Sequence, residues 1–219
     1  MSRSHLQIRP KAATDLIHDV TPASAGWSHV GFALHRLDAG GAAGGDAGAR
    51  ELCLVLVSGK ARIAVDGVDF GEIGERMSPF EGAPWAVYVP AGSSWTAQAT
   101  TELELAVCSA PGGGDYKAKV IAPGTHPRLT RGKGANMRHV YNIMPEDDGS
   151  AHALLVVEVI TPEGNTSSYP PHKHDQDNLP HESQLEETYY HRMNPPQGFA
   201  FQRVYTDDRS LDEAMAVEN

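Results

Sequence analysis

Apolar and polar residues alternate over short distances along most of the chain, a pattern that is typical of β-strands with one buried face. Turn residues interrupt this period of two repeatedly, because the chain holds 22 glycines and 15 prolines. Asp66-Gly67 supplies the positive φ angles of a tight turn and predicts a hairpin with the segments 51–59 and 60–65. Strands are predicted at 6–8, 27–37, 51–59, 60–65, 86–90, 103–107, 138–144, 151–160, 187–193 and 199–205. The chain is therefore predicted to be all-β, as a barrel or a sandwich.

Glycine-rich segments mark a predicted loop and a predicted domain boundary. The segment 40–48 is rich in alanine and glycine and is expected to be a loop. The segment 109–115, Ser-Ala-Pro-Gly-Gly-Gly-Asp, is the clearest linker in the chain. We therefore predict two β-domains, residues 1–112 and residues 113–219.

Composition and charge argue against some binding partners and indicate the cellular compartment. The chain is 40% hydrophobic and 21% charged over 219 residues, which is enough to bury a core. The formal net charge of -10 argues against nucleic acid or an anionic membrane surface, since both select basic patches. No apolar run is long enough for a membrane span, and the N-terminus lacks the apolar run of a secretory signal. Two cysteines, Cys53 and Cys108, suggest no disulfide framework. We expect a cytoplasmic protein.

The strongest chemical signal is the pair of histidines in Pro170-Pro171-His172-Lys173-His174. In a strand, the two-residue period would place His172 and His174 on one face. Imidazole plus carboxylate suits a borderline divalent ion such as zinc, manganese or ferrous iron, and leaves its identity open. His181 and Glu182 form a rival ligand pair, although a polar loop bounded by proline positions ligands less rigidly than a strand.

The third ligand is predicted from the segment 185–192, Leu-Glu-Glu-Thr-Tyr-Tyr-His-Arg. Its two-residue period groups Glu187 with Tyr189 and His191 and sends Glu186 and Tyr190 to the opposite side. Glu187 is therefore the carboxylate expected to join the two histidines. Another acidic residue, Glu158, interrupts an apolar run and needs a partner if its side chain points inward.

Two β-rich halves with these motifs resemble the cupin double-stranded β-helix. In the second half, His172, His174 and Glu187 resemble the first cupin motif, although the long insert 175–186 separates the histidines from the carboxylate. In the first half, Pro90-Ala-Gly-Ser-Ser-Trp95 resembles the second cupin motif, with Trp95 where a histidine would stand. The first half therefore resembles a cupin that binds no metal.

The insert, the segment 138–142 and the Tyr-Tyr-His-Arg run together resemble the 5-deoxy-glucuronate isomerases of bacterial myo-inositol catabolism, a bicupin sugar-acid isomerase family. This resemblance covers essentially the whole chain. It implies two tandem cupin barrels and a divalent metal, zinc or manganese, held by His172, His174 and Glu187. It also implies a fourth ligand, a histidine in a late turn that this sequence does not contain. The second barrel is thus expected to be incomplete at its C-terminus. Either residues outside the given sequence supply the missing turn, which is the hypothesis we favour, or the chain is a shortened form with an open site.

The activity that the resemblance implies is metal-dependent aldose–ketose isomerisation of 5-deoxy-D-glucuronate to 5-dehydro-2-deoxy-D-gluconate. Moving a carbonyl between C1 and C2 requires an electrophile at the oxygens and a group that transfers a proton between the carbons. The candidates for proton transfer or substrate orientation are Tyr189, His191 and Glu158. The candidates for binding the substrate carboxylate are Arg192, Arg203 and Arg138, since arginine binds carboxylates in a bidentate manner.

Three other functions stay open at this point. They are a related isomerase acting on a 4-deoxy-hexulose uronate, a metal-dependent cupin dioxygenase, and a non-catalytic sugar-binding cupin. The expected partner is a small anionic sugar acid, and association into a homo-oligomer also stays open.

Overall fold

The computed structural model describes residues 4–11 and 14–219, and within these ranges the chain is almost entirely strand and loop. The helical parts there are α1 (Pro22–Ala25) and two 3-10 turns, Gly134–Asn136 and Glu146–Asp148. The strands are β1 (Leu16–Val20), β2 (Gly31–Leu37), β3 (Ala42–Asp46), β4 (Arg50–Ser58), β5 (Ala61–Val65), β6 (Val68–Ile73), β7 (Trp85–Val89), β8 (Ser94–Ala99), β9 (Leu103–Pro111), β10 (Lys119–Ile121), β11 (Leu129–Arg131), β12 (Arg138–Met144), β13 (Val156–Ile160), β14 (Ala200–Tyr205) and β15 (Asp212–Val217). The predicted all-β class is confirmed. None of the helices in the described ranges has the length and apolar character needed to cross a membrane.

Two antiparallel sheets form the first half of the chain. The larger sheet has the strand order β1-β2-β9-β4-β7-β10, and the smaller has the order β3-β8-β5-β6. Their shared core includes Leu54 and Leu105 from the larger sheet and Ile63 and Trp95 from the smaller. Trp95 is only 7% exposed, so the position where the cupin motif has a histidine is filled by an indole that packs in this core.

Strand β4 is buried on both faces, which explains its uninterrupted apolar sequence. One face, with Leu54, contributes to the core between the two sheets. The opposite face, with Val55, packs in a second cluster that also contains Ile143 and Leu154 from the second half of the chain. The two halves therefore share a hydrophobic core across β4.

The predicted Asp66-Gly67 turn is present, but it joins a different pair of strands. Asp66 and Gly67 both have positive φ angles, 50° and 75°, and connect β5 to β6. The predicted pairing of 51–59 with 60–65 is wrong, because β4 and β5 belong to different sheets. The chain crosses between them at Gly59, where an added Cβ would lie 2.0 Å from the carbonyl oxygen of Glu102. Only glycine fits this crossing.

The predicted loop at 40–48 is also wrong, since most of it forms β3 and pairs with β8. Small residues allow the close approach of the two backbones, because a Cβ on Gly44 would lie 2.7 Å from the carbonyl oxygen of Trp95. The Ala/Gly composition that suggested a flexible loop serves a tightly packed strand pair instead.

The second half contains a three-stranded sheet, β11-β12-β13, and the two-stranded hairpin β14-β15. Strand β12 has the bounds predicted from the sequence, and the strand predicted at 151–160 begins only at Val156. The strands predicted at 6–8 and 187–193 do not form. Immediately after the predicted domain boundary, β10 pairs with β7 of the first sheet. The division into two domains stays a prediction.

Candidate active site

The segment 185–193, called the ligand segment below, is extended without belonging to a sheet. Glu186 on this segment points toward the first half of the chain. Its carboxylate accepts hydrogen bonds from the backbone N–H groups of Ser28, His29 and Val30 at 2.7, 2.8 and 2.9 Å. Burial alone would raise the pKa of Glu186, but these three donors outweigh it and hold the pKa below its ordinary value.

Tyr190 and Arg192 point in the same direction as Glu186 and meet Glu104 of β9. The Tyr190 hydroxyl donates to Glu104 Oε1 at 2.7 Å, and the Arg192 guanidinium donates to Glu104 Oε2. Arg36 Nε donates to the same Oε2 atom at 3.3 Å. Glu104 is 6% exposed, so two guanidinium groups and the hydrogen bond from one phenol replace water around its carboxylate.

The residues with odd numbers point the other way, as the two-residue period predicted. The Tyr189 hydroxyl donates to Glu187 Oε2 at 2.9 Å, and the Tyr189 ring stacks on the His191 ring with centroids 6.2 Å apart. His191 Nε2 lies 3.1 Å from Gln202 Oε1 on β14. Burial, followed by the neighbouring Glu187 carboxylate, raises the pKa of Tyr189 to about 12. The phenol is therefore a proton donor at neutral pH.

The two histidines of the predicted metal site lie next to each other, and one of them, His174, lies beside Glu187. The His172 and His174 ring centroids are 5.2 Å apart. His174 Nδ1 lies 3.0 Å from the carbonyl oxygen of Ser183, and His174 Nε2 lies 3.9 Å from Glu187 Oε1. A carbonyl oxygen can only accept a hydrogen bond, so Nδ1 carries the hydrogen and the Nε2 lone pair is the one available toward Glu187.

This donor set fits a borderline divalent ion in its chemistry, with two imidazoles and one carboxylate on neighbouring stretches of chain. The bond between His174 Nδ1 and the Ser183 carbonyl is the kind of outer contact that orients a ligand histidine. As the side chains stand in residues 4–11 and 14–219, no three His, Cys, Asp or Glu groups are close enough together to hold an ion. Binding would therefore require His172, His174 and Glu187 to draw together.

Among the remaining predicted site residues, Glu158 and two of the arginines are engaged by partners elsewhere. Both oxygens of Glu158 accept from Arg76, at 2.8 and 2.6 Å, so the partner that Glu158 needed is an arginine of the first half. Arg203 is bound in the same bidentate manner by Asp212. Arg192 is bound by Glu104.

Arg138 differs from the other two candidate arginines in that its hydrogen bonds go to backbone carbonyl groups. Its Nη1 atom donates to the carbonyl oxygens of Asn136 and Tyr169, at 3.1 and 3.5 Å. Tyr169 immediately precedes the Pro-Pro-His-Lys-His motif. Arg138 is therefore in contact with the chain that leads into His172, and it carries no carboxylate partner among the described residues.

The rival ligand pair in the insert has a structural role. Glu182 Oε1 accepts from the backbone N–H groups of Asp175 and Gln176, at 2.7 and 3.1 Å, and closes the insert into a compact loop. Its neighbour His181 is exposed.

Three carboxylates that connect distant parts of the chain, Glu51, Glu104 and Glu186, are absent from the residues predicted for the site. Glu51 is 0% exposed and binds the loop 152–154 through its backbone N–H groups. The available signal was an acidic residue within or beside an apolar strand, and it was used only for Glu158.

Comparison with known proteins identifies the family. The family model described as the KduI/IolB family matches residues 5–219. The chain belongs to the KduI/IolB family. The resemblance predicted from the motifs is thereby confirmed.

Similar members of the KduI/IolB family include proteins named 5-deoxy-glucuronate isomerase. One from Geobacillus kaustophilus is 54% identical over 201 residues, covering 91% of this chain and 72% of the relative. One from Bacillus velezensis is 48% identical over 222 residues, covering 99% of this chain and 82% of the relative. The crystal structure of an IolB-like protein from Salmonella typhimurium LT2 has a TM-score of 0.93 and 50% identity, covering 97% of this chain and 81% of that chain.

Proposed function

We propose that the protein is an aldose–ketose isomerase that converts 5-deoxy-D-glucuronate to 5-dehydro-2-deoxy-D-gluconate. The observation that carries this proposal is the 54% identity, over 91% of the chain, to a relative named 5-deoxy-glucuronate isomerase. The cluster of imidazole, phenol and carboxylate groups around Glu187 supports it, because these are the groups that such a reaction needs.

In the proposed site, His172, His174 and Glu187 would hold a divalent ion; their donor set suits a borderline ion, and the family resemblance implies zinc or manganese. When bound, such an ion supplies Lewis-acid polarisation of the substrate carbonyl and hydroxyl oxygens. Tyr189 keeps its proton at neutral pH, and its hydroxyl donates a hydrogen bond to Glu187 that holds the carboxylate in one orientation.

His191 is the residue best placed to move a proton between C2 and C1. Gln202 Oε1 lies beside its Nε2 atom, so Nε2 carries the proton and the Nδ1 lone pair is available as a base. Glu158 is less suited to this role, because both of its oxygens are already held by Arg76. We assign the substrate carboxylate to Arg138, since Arg192 and Arg203 already bind carboxylates of the protein.

The proposal is tested by incubating purified protein with 5-deoxy-glucuronate, with and without added zinc or manganese, and recording NMR spectra under anaerobic conditions. Ketose signals support the isomerase, oxygen uptake would support a dioxygenase, and binding without turnover would support a sugar-binding protein. A 4-deoxy-hexulose uronate serves as the comparison substrate, and faster turnover of it would replace the proposed substrate.

His174→Ala tests the metal ligands within the same assay. Removing a ligand should lower metal affinity and activity by at least about 100-fold, because even the loss of an outer contact costs a site 10–100-fold. His181→Ala is the matched control, since His181 is an exposed histidine of the same region. Equal activities of the two variants would show that His174 is not a ligand.

We further propose that the protein works in the cytoplasm. Cys53 and Cys108 lie opposite each other on β4 and β9, and both are free thiols. Burial raises the pKa of the Cys108 thiol to about 12, so both groups behave as packed apolar side chains that a reducing compartment leaves unchanged. Cell fractionation with an antibody against the protein measures the compartment directly.

A further inference from the structure

The ligand segment carries Glu187, Tyr189 and His191, yet a sheet does not hold it. Within the described residues, no backbone–backbone hydrogen bond involves residues 186–193. The nearest such bond runs from the Leu185 N–H to the carbonyl oxygen of His174, at 3.1 Å. The position of the segment therefore depends on contacts that involve side chains, and at Met193 these include the Asn219 amide, which binds the backbone N–H and carbonyl groups at 2.7 and 3.3 Å.

The segment's own side chains attach it to the first half of the chain. Glu186 binds the loop at 28–30 through three amide donors, at one end of the segment. At the other end, Tyr190 and Arg192 converge on Glu104, which is 6% exposed on strand β9. Because β9 is paired along both edges, with β2 and β4, Glu104 is fixed to a rigid support.

Packing around Tyr190 reinforces this attachment. Its ring lies 5.8 Å from the Phe32 ring and 6.0 Å from the His18 ring, both in the first sheet. Burial, together with the Glu104 carboxylate, raises the pKa of Tyr190 to about 12, so its hydroxyl remains a donor to Glu104 across the physiological range. Residues 190 and 192 therefore face the first half, while residues 189 and 191, which alternate with them, face the site.

We propose that Glu104 is a positioning residue for the candidate active site: by binding Tyr190 and Arg192 it fixes the ligand segment so that Glu187, Tyr189 and His191 face the two histidines. This inference rests on the proposed function for its kinetic consequences. It gives the first half of the chain a role in catalysis without a metal site of its own.

Glu104→Gln is the first test. The amide keeps the size of the side chain and one acceptor for the Tyr190 hydroxyl, but it removes the charge that binds Arg192 and Arg36. A small displacement of reacting groups lowers rates steeply, so kcat should fall about 10–100-fold while KM changes less than about threefold. Glu102→Gln is the control, because Glu102 is an exposed carboxylate two residues away and undergoes the same change of charge.

Tyr190→Phe is the second variant, and it removes only the hydroxyl that contacts Glu104. Amide hydrogen exchange of a peptide covering residues 186–193 and the affinity for zinc are measured for every variant, together with the melting temperature. We expect faster exchange in this peptide and weaker zinc binding in both variants, with exchange of the β4 and β9 peptides unchanged. Glu102→Gln should match the wild type.

Two outcomes separate this inference from the proposed function. If the wild type does not isomerise the sugar acid but both variants show faster exchange and weaker zinc binding, the function is wrong and the positioning role stands. If the wild type is active and both variants keep its kcat, exchange and zinc affinity, the positioning role is overturned. Loss of melting temperature with unchanged kcat per folded molecule would also overturn it, because Glu104 would then be structural only.

Discussion

Glu51 shows how a single buried acid can attach a distant loop. Its carboxylate accepts from the Tyr88 hydroxyl at 2.7 Å and from the N–H groups of His152, Ala153 and Leu154 at 2.9, 2.7 and 2.7 Å. A carboxylate with four donors is well compensated for its loss of water, and the loop gains an acceptor for three amide groups, of which that of Leu154 is in a buried residue.

Glu51→Gln should therefore destabilise the protein although it changes only one atom and the charge. The amide NH2 would face backbone N–H donors, so at least one of them loses its acceptor, at a cost of about 2–4 kcal/mol. Urea unfolding monitored by circular dichroism gives the change in free energy of unfolding. Glu102→Gln, at an exposed carboxylate, is expected to stay within about 0.5 kcal/mol of the wild type. Equal stability of the two variants would contradict the assigned role of Glu51.

At the level of single residues, the sequence predicted which way a side chain points better than it predicted which residues that side chain contacts. The two-residue period correctly separated Glu187 and Tyr189 from Glu186 and Tyr190, because an extended chain alternates its side chains with or without a neighbouring strand. It could not predict that Glu186 binds amides more than 150 positions earlier, since nothing local encodes so distant a contact.

At the level of elements, strands with their own alternating pattern were predicted and strands defined by neighbours were not. Strand β12 was predicted with its bounds, because apolar and polar residues alternate within it. Strand β3 was missed, because its glycines are required by close contact with β8 and resemble a loop in sequence. The ligand segment was predicted as a strand because it has the composition of one, although no partner strand lies beside it in the described ranges.

The hairpin β14–β15 has a turn whose stability depends on one carboxylate. Asp208 Oδ1 accepts from the Thr206 hydroxyl at 2.7 Å and from the Ser210 N–H and hydroxyl at 3.1 and 2.8 Å. These donors favour the charged form and lower the pKa of Asp208 to about 2.

A carboxyl whose pKa is lower in the folded hairpin than in the unfolded chain stabilises the hairpin at neutral pH. This contribution is complete above about pH 4 and is lost as the pH falls through about 2. NMR titration of the Asp208 carboxyl carbon should give a midpoint near 2, and amide shifts in the turn should follow the same midpoint. In Asp208→Asn the turn amides should exchange faster at pH 7 and lose that acid transition. A midpoint near the ordinary value of 3.8 would contradict the assigned hydrogen bonds.

At the level of the whole molecule, a shared apolar cluster and buried polar contacts join the two halves. Ile143 and Leu154 of the second half pack in one cluster with the outer face of β4. Glu51 and Glu186 add amide contacts in opposite directions, one from each half. The sequence predicted two β-rich halves with a glycine linker, but it did not predict how extensively they contact each other. Contacts of this kind depend on three-dimensional proximity that the local pattern does not contain.

The strength of the contact between the two halves can be measured at the ion pair between Arg76 and Glu158. Both guanidinium nitrogens of Arg76 contact Glu158, and Nη1 also donates to the carbonyl oxygens of Pro79 and Gly82, each at 3.3 Å. The Arg76 side chain is 3% exposed and the Glu158 side chain 17% exposed. Removal of one partner leaves the other charge with little access to water. The loss of stability should be larger when the remaining charge is that of Arg76, because Arg76 is more deeply buried.

Glu158→Gln should accordingly cost about 3–5 kcal/mol in free energy of unfolding, and Arg76→Leu should cost less, because a stranded Glu158 retains some access to water. The double variant should be less destabilised than the sum of the two, with a coupling energy of about 1.5–3 kcal/mol in a double-mutant cycle. Arg203 and Asp212 offer the matched comparison, since that pair has the same bidentate geometry but side chains 55% and 33% exposed. Its coupling energy should be clearly smaller, because water screens an exposed ion pair. Equal coupling energies for the two pairs would show that the contact between the halves is no stronger than an ordinary surface ion pair.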